Sequence, residues 1–88
     1  MSEMKRKIIE HRLDKEINSM MRKYPSGVLT EVFKVFPTFE VLKYQINSMI
    51  DNDMDPIPIM HHIEDYKIGL FDAIMEMART SVVLETES

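Results

Sequence analysis

The sequence predicts an all-α domain. A helical hairpin of residues 38–53 and 56–80 forms its centre, and N-terminal helices pack across it. Three observations carry that prediction. Apolar residues recur in steps of three and four at Ile59, Ile63, Tyr66, Leu70, Ile74 and Met77. Both hairpin segments begin with helix-start chemistry, Thr38 for one and Asp55-Pro56 for the other. The connection between them is short, which makes antiparallel neighbours. The 88 residues make one domain. Such a small chain leaves much surface uncovered, which favours an oligomer.

The first helix is expected over residues 3–23, with Ser2 as its cap. Its apolar positions are Ile9, Leu13, Ile17, Met20 and Met21, a narrow stripe on a highly charged helix. Tyr24-Pro25-Ser26-Gly27 ends it, because proline and glycine together favour a turn. The next segment, residues 28–36, is rich in β-branched and aromatic residues, which suits a strand. Its spacing is helical: Val28, Leu29, Val32, Phe33, Val35 and Phe36 share one face, so a short helix is expected. Pro37 closes it.

In the third helix, Phe39, Leu42, Ile46, Met49 and Ile50 form the stripe, and Glu40 suits the first turn. The run from Asp51 to Asp55 favours capping and turns. The long last helix follows, with Gly69 at its middle. A mid-helix glycine costs about 0.5–1 kcal/mol relative to alanine, so it points to a kink or a close helix–helix approach. Residues 81–88 read as an acidic tail that frays.

Charge is distributed unevenly. Residues 1–23 hold seven basic and four acidic residues; residues 24–88 hold four basic and eleven acidic. A dominant basic surface, the mark of a duplex nucleic-acid binder, is therefore not expected. A small anion held by a few N-terminal cations fits, as does head-to-tail pairing of the basic helix with an acidic surface on another copy. Without cysteine there is neither a disulfide framework nor a thiolate metal site, which fits a reducing, cytoplasmic setting. No apolar run reaches the ~18 residues of a membrane span. The basic N-terminus lacks the apolar segment of a signal peptide.

Catalytic and metal chemistry find little support. Asp51, Asp53 and Asp55 resemble the opening of a calcium loop. The positions that need glycine and glutamate hold Pro56 and His62 instead. His61 and Asp65 share a helical face, but zinc wants at least three protein ligands. Ser19 and Ser26 have no spacing that links them to a histidine base. The expectation is a protein without metal, cofactor or catalytic residues. Nine methionines serve as adaptable core or as interface filler.

The best small-ligand chemistry lies at Lys23-Tyr24-Pro25-Ser26-Gly27-Val28-Leu29-Thr30. Lys23 supplies a point charge. Tyr24 supplies a face for a base to stack on. Ser26, Gly27 and Thr30 stand where backbone N–H groups open a helix, which suits a phosphate.

Scattered stretches resemble a family of small helical phage proteins, the anti-CBASS cyclic-oligonucleotide sponges. Phe39-Glu40-Val41-Leu42-Lys43 is similar to an aromatic-Glu-x-aliphatic-basic helix start in that family. Pro56 and Pro58 resemble its proline pair before the last helix. Met77-Ala78-Arg79 is similar to an Ile-Ala-Arg ending, and Tyr24-Pro25-Ser26 to a Tyr-His-Pro-Pro turn. Departures are Ile59 and Met60 in place of Ser-Arg-Glu after the prolines, and Tyr66-Lys67-Ile68-Gly69 in place of Leu-Glu-Glu-Ala. The resemblance implies a hexamer that binds cyclic di- or trinucleotides between protomers. It would sequester a bacterial immune signal in the host cytoplasm without hydrolysing it. Tyr24, Pro25 and Arg79 are the positions it marks; Lys23, Ser26, Gly27 and Thr30 come from the residue chemistry alone. A different expectation from the same composition is a helical protein–protein interaction module, such as a phage inhibitor of a host enzyme, using an acidic or Met-rich face.

Overall fold

The computed structural model describes the backbone of residues 3–87 and the side chains of residues 3–80. Four helices follow one another: α1 (Glu3–Lys23), α2 (Ser26–Val32), α3 (Phe39–Asp51) and α4 (Pro56–Glu87). There is no strand among the described residues. The all-α expectation therefore stands. The helical spacing after Gly27 outweighed the strand propensity of its valines and phenylalanines.

The helix directions follow from which residues meet. Gln45 of α3 bonds His62 of α4, while Phe39, earlier in α3, meets Tyr66, later in α4. Partners thus advance in opposite senses, and α3 and α4 form an antiparallel hairpin. Arg12, Glu16 and Lys23 of α1 meet Glu64, Lys67 and Phe71 of α4. These partners advance together, so α1 and α4 run parallel. Arg6 meets Asp51 at 2.6 Å, at the opposite end of α3 from its cap, so α1 and α3 are antiparallel.

The core is the intersection of the stripes. Ile9, Leu13, Ile17 and Met20 come from α1, Leu42, Ile46 and Ile50 from α3, and Ile59, Ile63, Tyr66 and Leu70 from α4. All are buried, and among the described residues no polar or charged residue is buried with them. Leu29 and Val32 add the face of α2. Spacing in steps of three and four had marked nearly every one of these positions.

The Thr38 cap of α3 matches expectation, and other helix ends differ from it in instructive ways. Thr38 caps α3, its hydroxyl accepting from the Val41 N–H at 3.3 Å. At the other end Asp53 takes a left-handed backbone (φ 56°). The Asp53 N–H bonds to the Ile50 carbonyl and the Met54 N–H to the Met49 carbonyl. That is the Schellman arrangement, which satisfies carbonyls a helix leaves open. The aspartate run thus ends a helix through its backbone.

α2 begins at Ser26 and ends at Val32, earlier at both ends than residues 28–36. Pro25 is its N-cap residue, extended, so the helix starts as soon as proline permits. After Val32 the chain tightens: the Lys34 and Val35 N–H groups bond three residues back, to Glu31 and Val32. Pro37 disfavours helical backbone at Phe36 and prevents continuation. α4 runs to Glu87, beyond the apolar stripe that suggested Thr80. The expected Ser2 cap lies outside the described residues, and so do the side chains of the acidic tail.

Aromatic rings fix the corner between α2 and α3. Phe33 meets Phe39 edge to face at 5.0 Å between centroids, and Phe36 lies 5.2 Å from Tyr66. The Tyr66 hydroxyl donates to the Pro37 carbonyl at 2.6 Å. Burial pushes that phenol above its ordinary range. Gly69 is the close-approach point: a Cβ there would lie 3.1 Å from the Phe36 ring.

Candidate functional site

Because α1 and α4 run parallel, the end of α1 stays beside the middle of α4. A groove of about 390 Å³ opens between them. Ser19, Met20, Lys23 and Tyr24 line one side, and Glu64, Lys67, Ile68 and Phe71 the other. Tyr24 is held at the mouth by a backbone bond from its N–H to the Met20 carbonyl, at 3.1 Å. Its ring is half-buried and rests on the core. Phe71 is 43% exposed, so this aromatic face is not part of the core.

Lys23 organises the groove. Its Nζ lies 5.5 Å from the Tyr24 ring centroid and 5.3 Å from that of Phe71. Both distances fall within the ~6 Å range of a cation–π contact. The lysine bridges two helices with a charge, between two aromatic faces.

Below it a four-membered charge network locks α1 to α4. Lys67 Nζ approaches Glu16 at 2.6 Å and Glu64 at 3.6 Å. Arg12 reaches Glu16 at 3.2 Å and Glu64 at 3.8 Å. The Glu16 side chain is only 12% exposed. Its hydrogen bond with Lys67 holds the carboxyl below the ordinary carboxylate range and raises the Lys67 ammonium.

A carboxyl whose folded-state pKa is depressed stabilises the fold above its unfolded value, and that contribution is lost as pH falls through the folded value. Replacing Glu16 with glutamine is therefore expected to cost about 1–2 kcal/mol at pH 7. The difference from wild type should vanish in acid, below the usual carboxylate value of about 4.3. Urea titrations at a series of pH values measure this, and a pH-independent difference would contradict it.

Of the residues expected to bind a ligand, the structure brings Lys23 and Tyr24 into the groove. Pro25, Ser26, Gly27 and Thr30 follow at the start of α2, exposed. The Thr30 hydroxyl donates to the Ser26 carbonyl at 2.9 Å, inside α2. Gly27 faces open space, with no atom within 4 Å of where a Cβ would stand. Arg79 lies eight residues beyond Phe71, roughly 12 Å along α4, and pairs with Glu76. Within one chain it does not join Lys23.

Sequence reasoning passed over Phe71, Ile68, Glu64 and Lys67. One signal for them existed. Ile68 and Phe71 are apolar at a spacing of three but fall off the stripe of Ile63, Tyr66, Leu70 and Ile74. Apolar residues off the buried face mark an exposed patch.

The histidine pair splits. His62 bonds the Gln45 side-chain oxygen at 2.8 Å, and His61 is exposed. Among the described residues no three potential ligands gather to hold a metal. No helix among them is long and apolar enough to cross a membrane. Comparison of the chain with protein-family models, curated proteins and solved structures finds no match.

Proposed function

We propose that the protein is a non-enzymatic binder that sequesters a cyclic di- or trinucleotide, blunting a bacterial anti-phage response in the host cytoplasm. The observation that carries this reading is the Lys23 ammonium set between the half-buried ring of Tyr24 and the exposed ring of Phe71. Swinging outward, Lys23 pairs with a phosphate and frees a ring for a base. Base–aromatic stacking contributes about 1–3 kcal/mol per base. The lysine adds a charge-assisted contact. The groove volume of about 390 Å³ falls in the range of small-molecule sites, with room for one base and its phosphate. The resemblance at Phe39–Lys43, at the proline pair and at Arg79 supports the same ligand class.

Calorimetric titration with cyclic dinucleotides and trinucleotides tests the reading. Binding is expected at micromolar protein, with the ligand recovered intact after denaturation. Tyr24→Ala and Lys23→Ala should each weaken binding about tenfold or more, with helical content unchanged. Absence of heat with every one of these ligands would refute the reading, and a cleaved ligand would refute the non-enzymatic part.

A second reading, a helical interaction module that inhibits a host enzyme, is favoured by three exposed apolar residues. Val35 is 82%, Val41 41% and Tyr44 77% exposed, on and before α3. Its test is capture of one defined protein that Tyr44→Ala no longer captures.

A further inference from the structure

Glu64 is the one acid among the described residues that line the groove between α1 and α4. A carboxylate repels a phosphate, so in a groove whose rings and cations suit a nucleotide it calls for another partner. It has acceptor capacity to offer. Lys67 Nζ lies 3.6 Å away and an Arg12 nitrogen 3.8 Å away, both longer than a hydrogen bond. Both stand beside the same oxygen, Oε1, which leaves Oε2 outside the network. Glu16 is the contrast: nearly buried, with Lys67 at 2.6 Å and Arg12 at 3.2 Å, it is committed to holding the helices together. That bond also fixes Lys67 in place through one of its three N–H groups and leaves two to donate. A positioned donor and an open acceptor therefore stand side by side.

Their place on α4 sets them against a bound base. Ile68 is exposed in the groove, four residues after Glu64 and three before Phe71. Residues three and four apart are neighbours on a helix surface, with about 5–6 Å between Cβ atoms. A base stacked on a groove ring and lying over Ile68 turns an edge toward Glu64 and Lys67. Unpaired bases are read on their Watson–Crick edge. In guanine that edge carries the O6 acceptor followed by two adjacent donors, N1–H and the 2-amino group. Lys67 then donates to O6, and the two oxygens of Glu64 accept from N1–H and the amino group, a bidentate charge-assisted contact. Adenine offers one donor beside the N1 lone pair. Uracil sets its single N3–H between two carbonyls, and cytosine sets one amino group beside two acceptors. None of these three can give a donor to both carboxylate oxygens.

We infer that Glu64 and Lys67 read the Watson–Crick edge of guanine, so that the ligand of this groove is a guanine-containing cyclic nucleotide. The inference rests on the nucleotide reading of the groove and narrows it to one base. It also gives the carboxylate of Glu64 a role that phosphate binding does not.

Calorimetric titration of the full chain with cyclic di-GMP, cyclic di-IMP, cyclic di-AMP and cyclic triadenylate tests it. Wild type should bind cyclic di-GMP about tenfold to a hundredfold more tightly than either adenine ligand. Cyclic di-IMP keeps N1–H and lacks the 2-amino group, so it should fall between. Glu64→Gln replaces one acceptor oxygen by a donor. It should weaken cyclic di-GMP about tenfold or more, bring cyclic di-IMP level with it, and leave cyclic di-AMP as tight or tighter, because an amide matches the donor–acceptor edge of adenine. A merely structural role for Glu64 would weaken every ligand alike, as Tyr24→Ala should. Circular dichroism should show the same helix content in Glu64→Gln as in wild type. Adenine ligands that bind as tightly as cyclic di-GMP, or a guanine preference that survives in Glu64→Gln, would overturn the inference and leave the nucleotide reading standing. Binding of none of the four would overturn both.

Discussion

Replacing Ile63 with alanine is expected to destabilise the protein by about 3 kcal/mol. Ile63 is 1% exposed. Its chain neighbours reach opposite ways, His62 to Gln45 on α3 and Glu64 to Arg12 on α1. The isoleucine therefore stands where three helices meet, and truncation leaves a void that none of them closes alone. A domain of this size has a total stability on the order of 4–13 kcal/mol, so the loss is a large share. Each kcal/mol moves the melting temperature by about 4–8 °C in domains of this size, so a fall of about 12–24 °C is expected. Ile63→Val removes one methylene and should cost only about 1 kcal/mol. Thermal melts followed by circular dichroism measure both. Similar melting temperatures for Ile63→Ala and wild type would show that the helices collapse onto the site.

Gly69→Val is expected to cost about 2–3 kcal/mol, and Gly69→Ala to leave stability near wild type. Propensity alone argues for a gain, since alanine is better than glycine inside a helix by about 1 kcal/mol. Phe36 opposes it. A Cβ at residue 69 would meet two ring atoms at 3.1 and 3.3 Å. The ring has little room to yield, because it packs on Tyr66, whose hydroxyl is bonded to Pro37. Two further methyl groups in valine exceed what the ring can release. Gly69→Ala combined with Phe36→Leu should show favourable coupling, since the smaller side chain relieves the contact. Gly27→Ala is the control: with open space around it, alanine should stabilise by roughly 0.4–1 kcal/mol. Urea denaturation gives these values, and a full propensity gain in Gly69→Ala alone would refute the steric account.

The helices and the core were legible in the sequence because burial imposes a period, and Ile59, Ile63, Tyr66 and Leu70 keep it. Thr38 was legible because its chemistry is local. Gly69 suggested a kink or a close helix–helix approach; what comes close is the ring of Phe36, 33 residues earlier, in the turn after α2 and not in a helix. The groove was half legible. Lys23 and Tyr24 stand out beside a turn, whereas Phe71 and Lys67 join them only because α1 runs parallel to α4. Helix direction is a property of the chain path, and no single segment encodes it. The Arg12, Glu16, Glu64 and Lys67 network was hidden for the same reason, since the local spacing showed only Arg12 with Glu16.

The short link between α3 and α4 has a consequence for how the chain reaches this structure. Residues 52–55 are all that must be ordered to bring those helices together. Joining Arg12 to Glu64, or Glu16 to Lys67, closes a loop of about fifty residues. By chain entropy the longer closure costs about 2 kcal/mol more. Early contacts should therefore be those of the hairpin, with α1 docking after the rate-limiting step. Stopped-flow kinetics would show it. Ile46→Ala should slow folding, whereas Leu13→Ala should mainly speed unfolding. Equal effects of the two on the folding rate would mean that α1 is already in place at the barrier. With the expected order, the Lys23–Tyr24 groove is among the last features to form and the first to open.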